Sequence, residues 1–134
     1  MAGDLLYAFR IMRLPLLDAG GAAIGRIDDI VVIPGRHGAP PRVSGFVATS
    51  QRRRIFVNAH RISGVDSNGV RLRSWDVDLH PFKPRDGERL LGAGVIDTRQ
   101  GDETVSDVAL RPVVTARENG WEVAKVRLTD RKST

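Results

Sequence analysis

The chain has 134 residues, the size of one ordinary domain or two very small ones. It contains no cysteine, which excludes disulfides, thiolate metal sites and thiol nucleophiles and fits a reducing cytoplasm. The formal net charge is +5, and most of the positive charge is arginine dispersed along the chain, a pattern typical of a solvated surface.

The longest apolar stretch near the N-terminus covers residues 5–9 and ends at Arg10. A secretory signal needs about 7–15 apolar residues and a membrane span about 20. We therefore expect a cytoplasmic protein with no direct insertion into a membrane.

Strand signals dominate the first half of the sequence. Strands are predicted near residues 7–16, 24–33, 42–50, 53–58, 61–66 and 69–74, and the Pro/Gly-rich residues 34–41 are predicted as a loop. The pair Asn68-Gly69 is typical of a type I′ hairpin turn, in which both central residues have positive φ. Six short strands without crossover helices favour a small closed β-barrel in residues 1–74, the first unit.

Residues 75–89 lose the alternation and contain Pro81, Pro84 and Gly87, so they are predicted as a linker. A second, shorter β unit follows in residues 90–129, with strands near 93–97, 103–112 and 121–129. Because it has fewer strands than the first unit, it would complete its sheet against that unit or against another molecule. Residues 130–134 form a polar tail.

One pattern occurs in both units: an Asp before a Gly-containing turn, then an Asp that opens an aliphatic run. Asp18 and Asp29 occupy these places in the first unit, and Asp97 and Asp107 in the second. Such self-similarity indicates a duplicated β unit. Asp18 and Asp97 are predicted to stabilise turns, and Asp29 and Asp107 to accept backbone N–H bonds at a strand entry. The alternative for Asp29 is that it joins Asp28 in supplying carboxylate ligands to a Mg²⁺ ion.

The other chemical side chains form no recognisable catalytic motif. His37, His60 and His80 are far apart and lack zinc-ligand spacing, and no nucleophile elbow or phosphate-binding loop occurs. Asp76 and Asp78 lack a third partner for a site. We therefore expect a protein that is not an enzyme and has no resident cofactor.

Two groups of residues are candidates for docking a partner. The run Arg52-Arg53-Arg54 is predicted at a tight connection between strands, where it forms a solvated turn, a protein-docking patch or a phosphate contact. Nucleic acid is the least favoured of these, since RNA modules interleave several aromatic rings and only Phe56 is near. Trp75, Phe82 and Trp121 are predicted to pack in the core or between units, with a partner-binding patch as the alternative for Trp75 and Phe82.

Several aliphatic segments resemble the PRC-barrel family, an SH3-like β-barrel. The segments are residues 14–18, 24–32, 43–47, 54–57 and 60–62. The second unit, with Leu91-Gly92 and Val95-Ile96-Asp97, is similar to the degenerate second barrel of actinobacterial proteins related to the MgtE magnesium transporter, where a PRC region precedes helical and CBS domains. Those domains are absent from this sequence, so we expect either the N-terminal part of a longer protein or a stand-alone relative.

The resemblance implies a non-catalytic interaction or regulatory module. Its partner would be another protein or downstream domains of a longer chain, and a homodimer is possible by pairing of an open strand. The alternative function, implied by the PRC domain at the C-terminus of the ribosome maturation factor RimM, is an RNA- or ribosome-associated module.

Overall fold

The computed structural model describes residues 5–75, 80–83, 85–114 and 119–130. Asp76, Asp78 and the polar tail after Asp130 lie outside the described residues. The strands are β1 (Leu6–Tyr7), β2 (Pro15–Leu17), β3 (Ala23–Ile33), β4 (Arg42–Ser50), β5 (Arg53–Asn58), β6 (Ile62–Asp66), β7 (Gly69–Leu72), β8 (His80–Pro81), β9 (Arg89–Leu90), β10 (Arg99–Gln100), β11 (Glu103–Val114) and β12 (Asn119–Asp130). The helices are α1 (Ala8–Ile11) and α2 (Leu91–Gly94), and a 3₁₀ turn covers Ala59–Arg61.

The strands form one curled sheet, a half-barrel, so the prediction of an all-β, barrel-like fold is confirmed. The main path through the sheet runs β1-β11-β12-β4-β3-β2-β7-β6, and β5 pairs with β4 beside it. Among the described strands, β2 and β7 pair in parallel and the other ladders are antiparallel. No ladder among the described residues joins β5 to β6, so the curl of the first unit stays open there.

Two predicted strands are wrong in part because short helices replace them. Residues 7–16 form the end of β1, helix α1 and the start of β2, and residues 93–97 contain the end of α2. Four-residue helices are unstable alone, so local sequence gives almost no signal for them. They form here because a side chain from a distant strand accepts hydrogen bonds from their first turns.

The hairpin between β6 and β7 is confirmed, but its turn lies one residue earlier than predicted. Asp66 pairs with Gly69, so Ser67 and Asn68 are the central turn residues. The Asp66 carboxylate accepts a hydrogen bond from the Asn68 amide at 2.8 Å, which stabilises this arrangement. The tight connection of β4 to β5 is as predicted, with positive φ at Gln51 and Arg52.

The long hairpins β3–β4 and β11–β12 carry the same irregularities. Each has one bulge just before its repeated aspartate, at Asp29 and at Asp107, and a second bulge three residues further on. This register makes β4 and β12 equivalent strands, with Phe46 and Val126 in the same position. Where the two hairpins meet, Glu122 of β12 pairs with Arg42 of β4, and these residues are themselves equivalent. A local two-fold relation therefore joins the halves of the sheet.

The two units exchange their leading segments. β1 of the first unit pairs with β11 of the second, and β9, which spans the predicted boundary between the linker and the second unit, pairs with β3 of the first. The segment predicted as a linker contributes β8, which pairs with β5, as well as β9. The second unit thus completes part of its sheet against the first, one of the two outcomes expected from the sequence.

A single hydrophobic core runs through this junction. Phe46 of β4 is buried and contacts the buried Trp121 of β12 edge to face, with ring centroids 5.9 Å apart. Ile11 of α1 and Leu91 of α2 are buried in the same cluster. Packing across the junction means that the two units stabilise each other.

Candidate interaction surface

Asp29 is a structural residue at the meeting point of the two units. Its carboxylate is buried and accepts hydrogen bonds from three backbone amides: Ile30 at 2.7 Å, Gly92 at 2.6 Å and Ala93 at 3.0 Å. Gly92 and Ala93 form the first turn of α2, whose N–H groups have no partner within the helix. Asp29 of the first unit therefore caps the helix of the second.

Asp107 makes the reciprocal contact. Its Oδ1 accepts hydrogen bonds from Val108 at 2.8 Å and from Phe9, in the first turn of α1, at 3.0 Å. The repeated aspartate thus fixes each unit's short helix to the other unit's hairpin, in agreement with its predicted role as a backbone acceptor.

The carboxylates of Asp28 and Asp29 have separate partners. Asp28 accepts a hydrogen bond from the Thr49 hydroxyl, whereas Asp29 is occupied by the amides of α2. In the described ranges no three Asp, Glu, His or Cys side chains cluster as metal ligands would. The geometry gives no support to a Mg²⁺ site at this pair.

The first turn aspartate behaves as predicted. Asp18 accepts hydrogen bonds from the amides of Gly20 and Ala22, both at 2.9 Å, and so closes the turn between β2 and β3. Its counterpart Asp97 has a positive φ of 72°, and its amide donates to the carbonyl of Val105. Both residues act at turns, and neither belongs to a cluster of chemical groups.

The arginine run and Phe82 come together on one surface. Arg52, Arg53 and Arg54 are exposed, and the Arg54 guanidinium lies 5.9 Å from the centre of the Phe82 ring. Phe82 also lies beside Phe56, with ring centroids 6.5 Å apart. Next to them is an open groove of about 530 Å³. Its lining comprises Phe56, Asn58, Arg61, His80, Pro81, Lys83, Arg85 and Glu88.

Most side chains that line this basic groove are exposed. The lining residues Arg61, His80, Lys83 and Arg85 are exposed. The Glu88 carboxylate is engaged by the Ser44 hydroxyl at 3.1 Å and the Arg85 amide at 3.0 Å, so it stabilises the loop. The other histidines are also exposed: His37 lies in the loop before β4, and the His60 amide is bound by the Asn58 side chain.

Trp75 packs against the turn between β2 and β3. It is 71% exposed, and its ring rests on Gly20, where a Cβ would be 2.5 Å from the ring edge. The two tryptophans therefore differ sharply, since Trp121 is buried. Trp75 keeps the exposure that a docking residue needs.

Acrylamide quenching of tryptophan fluorescence checks this contrast. We expect two emitters, with Trp75 freely quenched and Trp121 protected in the core. Trp75→Phe should remove the quenchable, red-shifted emission and leave the protected emission. A quenchable fraction that persists in Trp75→Phe would contradict the placement of Trp121.

The second unit leaves one strand edge open. β4 is paired with β3 on one side and, from Gly45 to Ser50, with β5 on the other. β12 is paired with β11, but on its other side its backbone pairing with described residues is limited to Glu122 with Arg42 and to the Val123 amide, which donates to the Pro41 carbonyl. The chain before Arg42 reads Pro40-Pro41, and proline has no N–H with which to extend this ladder. From residue 124 onward, no described strand pairs with the outer edge of β12.

We call the unpaired residues 124–129 of β12 the open edge. The open edge exposes apolar side chains whose equivalents are buried in the first unit. Val126 is 44% exposed and Leu128 is 45% exposed, whereas the equivalent Phe46 and Ala48 are 1% and 0% exposed. Val126 and Leu128 pair with the buried residues Val108 and Val105 of β11, so they belong to the core face of the hairpin. The first unit covers this position with β5, and the second unit has no described strand there.

An apolar groove of about 330 Å³ lies beside this edge. Its lining is Val32, Ile33, Pro34, Pro41, Gly87, Arg89, Leu91, Val95, Val108, Val123 and Val126. Apolar lining next to unpaired backbone is the arrangement that accepts an added strand: the backbone supplies hydrogen bonds and the groove takes alternate side chains.

The face of β12 that points away from the core is basic at the open edge. Lys125 and Arg127 alternate with Val126 and Leu128 and are exposed. Neither forms an ion pair with any described residue. The alternation is visible in the sequence, but its exposure depends on the order of the described strands and on Pro40-Pro41, and no local pattern links these features to residues 124–129.

Comparison of the chain with protein-family models, with curated proteins and with solved structures finds no match in any of the three. Among the described residues, no helix combines the length and the apolar character required to cross a membrane.

Proposed function

We propose that this chain is a non-catalytic, cytoplasmic protein-interaction module that binds an extended segment of a partner by strand addition. The observation that carries the proposal is the open edge of β12, where the first unit has β5 and the second has no described strand. Exposed, flat strand edges readily pair with other chains unless they are protected.

The resemblance of the first unit to PRC barrels supports this function, because it implies a non-catalytic interaction or regulatory module. The proposal extends to its finer form, an interaction region of an MgtE-like, CBS-associated protein. In such a protein the added strand would come from a downstream domain or from a separate partner.

Selection of random displayed peptides on the purified chain tests this function. We expect extended binders, and residue-resolved hydrogen exchange of their complexes should show new protection in residues 124–130. Binders that protect only the surface around Arg52, Arg53 and Phe82 would contradict strand addition.

Binding of single-stranded RNA at low salt is the matching test of the alternative function. A phosphate-driven complex would weaken steeply as salt rises, with a linear log–log dependence. RNA binding of that kind, together with failure to select any peptide, would replace the proposed function by an RNA-associated one.

A further inference from the structure

Resting on the proposed function, we infer the chemistry of the strand that the open edge accepts: an antiparallel segment that alternates apolar and acidic residues. The inference uses β5 as a template for the missing strand. The inference also uses the positive charges of Lys125 and Arg127, which lie beside the position of the incoming strand.

The template fixes which positions of the incoming strand are apolar. In the first unit, Val57 pairs with Phe46 and Ile55 pairs with Ala48, and both β5 residues are buried. Phe46 and Ala48 are equivalent to Val126 and Leu128 by the register of the two hairpins. Residues that lie opposite Val126 and Leu128 would therefore enter the core face beside the apolar groove.

The alternate positions of the incoming strand face the basic side. Residues opposite Lys125 and Arg127 point away from the core, as Phe56 and Asn58 do in the template. Cross-strand pairs of opposite charge are stabilising and like-charged pairs are destabilising. Glutamate or aspartate at these two positions would meet cations that have no ion pair with the described residues.

The same charges disfavour a second molecule of this chain as the occupant. Antiparallel pairing of two β12 strands about a two-fold axis places residues of the same face opposite each other. The rows of Lys125 and Arg127 would then oppose one another across the interface. Lysine and arginine on an exposed strand are a device by which proteins limit self-pairing of sheet edges.

The test uses two short synthetic peptides, one alternating valine with glutamate and one alternating valine with lysine. Binding to the intact chain is measured by fluorescence anisotropy at low salt. We expect the glutamate peptide to bind at least about tenfold more tightly, since two attractive cross-strand pairs replace two repulsive ones. The double variant Lys125→Glu/Arg127→Glu should invert this preference.

A matched control makes the same charge change elsewhere. Arg52→Glu/Arg53→Glu alters two exposed arginines at the β4–β5 turn and should leave the peptide preference unchanged. Loss of the preference in this control would show that net charge, and not the open edge, selects the peptide, and would overturn the inference.

The remaining outcomes separate this inference from the proposed function. If displayed peptides bind residues 124–130 but lack acidic alternation, the acidic chemistry is wrong while strand addition stands. If no selected peptide binds there, both are wrong. Concentration-dependent dimerisation in sedimentation that Leu128→Glu abolishes would identify a second molecule as the occupant and overturn the inference.

Discussion

Replacing Phe46 with alanine is expected to lower the free energy of unfolding by about 3–5 kcal/mol, the usual cost of deleting a buried aromatic side chain. Phe46 is fully enclosed, and its ring meets Trp121 of the other unit edge to face. The substitution removes burial and also the contact that joins the two hairpins. Urea unfolding followed by circular dichroism measures the loss.

Val126→Ala is the matched control for Phe46→Ala, because it changes the equivalent residue of the second unit. Val126 is half exposed at the open edge, so its truncation should cost about 1 kcal/mol or less. Similar losses in the two variants would mean that the edge of β12 is covered in solution, in contradiction to the structure.

Asp29→Ala should be the most damaging substitution of a charged residue, with a loss of about 3 kcal/mol. It removes the acceptor of the buried Ile30 amide and of the partly buried Gly92 and Ala93 amides, and donors left unsatisfied away from water are costly. Because the Gly92 and Ala93 amides begin α2, the second unit should lose protection first. Amide hydrogen exchange of residues 91–96, together with urea unfolding, measures both effects.

Two controls separate this capping role from a general effect of lost charge. Asp107→Ala removes the equivalent cap at Phe9, where the site is only partly buried, and should cost about 1 kcal/mol. Asp28→Ser introduces the residue found at the equivalent position, Ser106, and should cost less still. An Asp29→Ala variant as stable as Asp28→Ser would refute the reciprocal capping.

Much of the fold could be predicted from alternation and turn residues. The strands predicted at 24–33, 42–50 and 53–58 agree closely with β3, β4 and β5, and those at 103–112 and 121–129 with β11 and β12. In these segments the local pattern and the tertiary packing favour the same structure. The repeated aspartates were also predicted correctly as backbone acceptors.

The exchange of segments could not be predicted, because its signals are distant in the sequence. The amide of Phe9 is bound by Asp107, and the amide of Gly92 by Asp29. No local pattern records such a pairing, and α1 and α2 are too short to carry their own helical signal. The open edge has the same origin: residues 124–129 alternate as any half-buried strand does, and only the sheet order shows which side lacks a neighbour.

Residue-resolved hydrogen exchange of the free chain compares the two equivalent strands within one molecule. If the outer edge of β12 is unpaired from residue 124 onward, alternate amides of residues 125–130 should exchange rapidly, while amides of residues 45–50 stay protected between β3 and β5. Equal protection of the amides of residues 125–130 and of residues 45–50 would mean that a strand already covers β12. That result would contradict both strand addition and the proposed acidic partner.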